Sequence, residues 1–151
     1  MLDSRSLAIS TGLVLVFAAS SVQAADWRRV AQLDAGGTAY YLDVDSPRRD
    51  ADNQVVAVVL AQHSPSQRTP DGNAYASSIR VIRFGCAAES LADQSITFYA
   101  EAGGNGAVVR RMERTAEQAN ADLQPTDPQS IGKALVYAAC EVFARGKPAF
   151  R

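Results

Sequence analysis

Two cysteines, Cys86 and Cys140, and a single histidine, His63, carry the sharpest chemistry in this sequence. Together they supply too few ligands for a metal site, and a redox pair would favour Cys-x-x-Cys spacing. An intramolecular disulfide is the favoured reading, since the N-terminus directs the chain to a compartment where disulfides persist. In the chain-entropy view, closing the loop between positions 86 and 140 removes roughly 4 kcal/mol from the unfolded ensemble. His63 stands beside Ser64 and Pro65 in a polar stretch, and no Gly-x-Ser-x-Gly elbow accompanies it. It is read as a solvated loop residue. No catalytic residue, metal ligand or cofactor site is expected, and the chain is read as a non-enzyme.

Asp43, Asp45, Asp50 and Asp52, followed by Asn53, crowd a short stretch that could attract calcium outside the cell. The central Gly and distal Glu of an EF-hand are absent, so turn and cap chemistry is the plainer reading. Gly103, Gly104 and Gly106 precede no helix start and read as hairpin residues rather than a phosphate cradle. Thirteen of the fifteen basic residues are arginine, with pairs at Arg28-Arg29, Arg48-Arg49 and Arg110-Arg111. Guanidinium forks suit carboxylates and sulfates, although an Ala-rich, Lys-poor chain accumulates arginines for compositional reasons as well. Aromatics at Trp27, Tyr40, Tyr41, Tyr75 and Tyr99 serve sheet packing or contact surfaces. The residues nominated for partner binding are Tyr75, Arg68, Arg110 and Arg111.

These residues need a scaffold, and the hydrophobic pattern supplies one. Strands are expected at 27–33 and 38–44, separated by Asp34-Ala35-Gly36-Gly37, then at 54–62, 77–86, 95–101 and 107–114. The segment at 54–62 is β-branched and apolar at both parities, as in a central strand covered on both faces. Two prolines and Asp71-Gly72-Asn73 make 63–75 a mobile hairpin loop. In 77–86, Arg80, Ile82, Phe84 and Cys86 share one face. The period then changes: Asp127 caps a helix starting at Pro128, with Ile131, Leu135, Ala138 and Val142 on one stripe and Cys140 near its edge. The expected fold is α+β, an antiparallel sheet of about six strands with one C-terminal helix packed on one face and joined to it by the disulfide. One helix covers one face, so the second cover comes from loops, sheet curvature or another copy of the chain.

The N-terminus sets the compartment. An apolar run from Leu7 to Ala19 follows Arg5 and leads to Val22-Gln23-Ala24, with small residues where a signal peptidase cuts. Thirteen residues are too short a run to span a bilayer, which takes about 20. The expected organisation is a signal peptide at 1–24, one domain at 25–145 and a tail at 146–151, giving a periplasmic or secreted protein. The net charge of −1 draws it to neither nucleic acid nor anionic lipid. No cysteine stands at the cut to receive a lipid.

The order Trp27-Arg-Arg-Val, Tyr40-Tyr41-Leu42-Asp43 with Ser46 and Arg48, the apolar strand, Phe84-Gly-Cys86, Ile96-Thr-Phe-Tyr99 and Pro128-Gln-Ser130 leading to Cys140 resembles the surface-adhesin protein E-like domain of Gram-negative bacteria. That resemblance implies a disulfide-linked, mainly antiparallel sheet with a helix, able to form a homodimer. It also implies the binding of a host matrix or bacterial envelope protein. The alternative is a periplasmic accessory or inhibitor protein of an envelope assembly with no adhesive role.

Overall fold

The structure, a computed structural model, describes residues 24–32 and 37–146. Most of the expected signal segment (1–24) and of the tail (146–151), and the turn residues 34–36, lie outside the described residues. Eight strands form one antiparallel sheet: β1 (Trp27–Gln32), β2 (Thr38–Asp43), β3 (Arg48–Arg49), β4 (Val55–Arg68), β5 (Ala74–Gly85), β6 (Ser90–Tyr99), β7 (Val108–Glu113) and β8 (Gln124–Pro125). Six of them run in the order β1-β2-β4-β5-β6-β7, with the two-residue strands β3 and β8 attached to β4 and β6. Helix α1 (Ala116–Ala121) follows β7, and α2 (Ile131–Arg145) closes the chain.

The two-sided apolar segment is the sheet's centre. Val55, Ala57 and Val59 of β4 face α2 and pack with Leu42, Ile82, Phe84, Leu135, Val136 and Ala139. Val56 and Leu60 point the other way and are equally buried. Their cover comes from the chain's own connections. At one end, Asn120 of α1 and the 50–53 turn close over Val56 and its cross-strand neighbour Arg83. At the other end, a short 3-10 turn at Ala102–Gly104 sits against Ile79, where its Gly104 and Gly103 N–H groups donate to Ser77 Oγ and Gln62. Of the covers expected for this face, loops supply it, helped by a short helix.

Cys86 and Cys140 are joined, with their Cα atoms 5.9 Å apart, and tie the end of β5 to α2. The helix begins three residues later than the sequence suggests. Ser130, not Asp127, is the cap: its Oγ accepts from the Lys133 N–H, while Pro128 belongs to the preceding turn.

The stretch 63–75 is also corrected, because it is largely strand. β4 continues to Arg68 and β5 starts at Ala74, leaving only a short turn around Thr69–Asn73. The prolines fit because the pairing breaks where Pro65 falls: residues 63–66 of β4 stand opposite Ala76 alone. A bulge is one of the few places where a sheet accepts a residue without an N–H.

Candidate functional site

Helix α2 covers the half of its sheet face that carries Ile82 and Phe84 and leaves the other half open. There, β2, β4, β5 and β6 bring Thr38, Ala61, Ser78 and Ile96 to the floor of a cleft of about 340 Å³, walled by Tyr40, His63, Tyr75, Arg80 and Phe98. The cross-strand register explains the grouping. Thr38 pairs with His63, Tyr40 with Ala61, Ser78 with Phe98, and Arg80 with Ile96. Beyond the bulge, Tyr75 turns into this cleft, edge-on to His63 with ring centres 5.1 Å apart and to Phe98 at 4.8 Å. Its hydroxyl donates to the Gln67 side-chain carbonyl across the hairpin.

His63 is therefore a half-buried residue of β4 and not a solvated loop residue. Its Nδ1 is 2.7 Å from Thr38 Oγ1. Burial, and then the charge of Arg80, hold its pKa below the usual 6.5, so the ring is neutral at pH 7. Arg80 is paired with Asp93 of β6. Three buried atoms here, His63 Nε2, Arg80 Nε and Asp93 Oδ1, have no hydrogen-bond partner. Buried polar atoms are rarely left so, and this group lies where the sheet face opens. Aromatic rings, one cation and one neutral imidazole suit recognition of another surface.

The nominated partner-binding residues divide. Tyr75 stands in the cleft. Arg110 lies on its rim, opposite Phe98 on β7 and 3.4 Å from Asp71 of the hairpin tip. Arg111, one residue on, pairs with Thr97 and faces the other side of the sheet. Arg68 donates to the Gly72 carbonyl at 2.7 Å and closes its own turn. Arg80 was the readable signal: a charged residue on the face otherwise held by Ile82 and Phe84 marks where the helix cover ends. Thr38, Phe98 and His63 join the cleft only through the register, which single-strand periodicity does not report.

The acidic stretch turns out to serve the fold. Asp50 Oδ1 accepts from the backbone N–H groups of Asp52 and Gln54, and both Asp50 and Asp52 pair with Arg83. Among the described residues, no cluster of three or more His, Cys, Asp or Glu side chains is placed to hold a metal. No helix among them is long and apolar enough to cross a membrane.

The family model described as surface-adhesin protein E matches residues 27–141, from the start of β1 to within four residues of the end of α2. Comparison with curated proteins and with solved structures finds no match.

Proposed function

The chain belongs to the surface-adhesin protein E family, and from that premise we propose that it is an exported, non-enzymatic domain that binds another protein through the half-face left open by α2. Tyr75 and the rim residue Arg110 take part in that contact, Arg111 extends it to the edge of the sheet, and Arg68 holds the hairpin tip beside it. The observation that carries this reading is the concentration of Tyr40, Tyr75, Phe98 and Arg80 in one open cleft. Aromatic and arginine side chains dominate the energetics of protein interfaces. The domain runs from residue 25 to 145 after removal of a signal peptide at 1–24.

The partner is a host matrix protein or a component of the bacterial envelope. Both cysteines of the sequence are consumed in one disulfide. The alternative is a periplasmic accessory or inhibitor role with no adhesive activity. Capture from host matrix proteins and from envelope extract separates the two, with wild type beside Tyr75→Ala. The variant gives up the ring contacts to His63 and Phe98, so it is expected to lose about 1 kcal/mol of stability while remaining folded, and to lose tenfold or more in affinity, the size of an interface hot spot. A matrix protein captured by wild type supports adhesion, and an envelope component alone supports the accessory role. Equal capture by Tyr75→Ala removes the cleft from either.

A further inference from the structure

Strand β7 ends the sheet, and nothing among the described residues pairs with its outer side. Alternate residues of an edge strand point their N–H and C=O groups outward, which makes the edge a template for one more strand. Folded proteins blunt such edges with bulges, charges or a covering element. At the opposite edge, β1 carries a bulge between Arg29 and Ala31 and has α2 packed against it. β7 is irregular only at its start and then runs in register with β6 from Arg110 to Glu113.

Its side chains do more than protect an edge. Val108 and Met112 are 49% and 41% exposed and, with Tyr137, are the exposed large hydrophobics among the described residues. Between them stand Arg110 and Arg111, which project to opposite faces. Arg110 shares Asp71, a pair that leaves most of its five donors available. No carboxylate among the described residues reaches Arg111.

The geometry points to β7 as the acceptor for an extended segment of a protein partner that carries two adjacent acidic side chains. This rests on the protein-binding reading above and gives it a partner chemistry. Main-chain hydrogen bonds hold an added strand, and the side chains opposite select it. Adjacent residues of that strand alternate between faces, so one carboxylate meets Arg110 on the cleft side and its neighbour meets Arg111 on the other. The apolar residue flanking one carboxylate then covers Met112, and the segment beyond the other runs past Val109 to Val108. A second copy of the chain fits less well. Antiparallel registers centred on the arginines set Arg against Arg, and the register that sets Arg111 against Glu113 brings Arg110 against Arg114 of the other copy and leaves it without a carboxylate there.

The test titrates the 15N-labelled oxidised protein with the blocked hexapeptide Thr-Val-Glu-Glu-Val-Thr and with versions carrying Gln-Gln or Lys-Lys at the centre. The Glu peptide is expected to bind at least tenfold tighter than the Lys peptide, with amide shifts and new hydrogen-exchange protection over residues 108–113. Arg111→Glu, exposed and outside the core, is expected to narrow or reverse that preference without changing thermal unfolding. Equal binding of all three peptides, shifts confined to other strands, or self-association through β7 without peptide overturns the proposal. A partner captured through the cleft, together with peptides that β7 does not distinguish, removes this proposal and leaves the protein-binding reading intact.

Discussion

Arg80 and Arg83 sit on opposite faces of β5, and their surroundings assign them different tasks. Arg83 is 2% exposed, with Nε donating to Asn120, Nη1 to Gln94 and Nη2 shared by Asp50 and Asp52. Burial, and then the charge of Arg48, pull its pKa below the ordinary arginine value, so its partners are what keep a buried cation tolerable. Arg83→Met strands the Asp50 carboxylate and the side chains of Asn120 and Gln94. The expected loss is about 3–5 kcal/mol, read from urea unfolding; a loss below about 1 kcal/mol would show that water replaces the guanidinium. Around Arg80 the satisfaction is incomplete, and His63 reports it through pH. Its folded pKa lies below the unfolded value of 6.5. As pH falls below about 6.5 the unfolded chain binds the proton first, so stability declines, and the decline is complete once pH passes the folded pKa. Wild type is expected to show this slope on the acid side of 6.5, above the range where carboxylates titrate. His63→Gln is expected to flatten it, and an unchanged slope would place the titration elsewhere.

The elements that formed as expected are those whose pattern is long and local. The segment at 54–62 was legible because seven apolar residues stand at both parities, and α2 because its stripe repeats over about three turns. What escaped detection is short or depends on pairing. Helix α1 is six residues with one buried side chain, Ala119, too brief for a period to emerge. Its only sequence mark is the Thr115 and Gln118 capping box, in which each side chain accepts from the other's backbone N–H. The hairpin arms of β4 and β5 were hidden by Pro65 and Pro70, since breaker residues do not reveal whether a bulge will absorb them. The cleft inherits both difficulties, because His63 and Tyr75 flank that bulge. The 3-10 turn at Ala102–Gly104 gives a direct test of how the second face is closed. Gly104 has φ +72°, and a Cβ there would lie 2.6 Å from Ile79 Cδ1. Gly104→Ala is therefore expected to cost about 1–2 kcal/mol from backbone conformation and displacement of the turn. It should also speed hydrogen exchange in β4 and β5 near Leu60 and Ile79. No change in either would mean that the turn does not seal this face.

At the scale of the molecule, the sheet has a closed end and an open one. The closed end holds Phe84, Leu135, Val136 and the disulfide beside them; the open end holds the cleft and the β4–β5 hairpin. This separation predicts that stability and recognition can be uncoupled. Cys86→Ser with Cys140→Ser frees the unfolded chain from a long loop and is expected to cost roughly 4 kcal/mol. For a domain of this size that lowers the unfolding temperature by on the order of 10–15 °C. Helix α2 keeps its apolar contacts through Leu135, Val136 and Ala139, so the variant should remain folded at room temperature, with α2 amides exchanging faster than those of β4. The cleft touches neither cysteine. Capture of the partner below the new midpoint is therefore expected to match wild type, and Tyr75→Ala should show the reverse pattern, losing little stability and binding weakly. If the cysteine variant loses the partner while its sheet amides stay protected, α2 or the disulfide itself is part of the contact surface, and the binding face must be redrawn to include the helix.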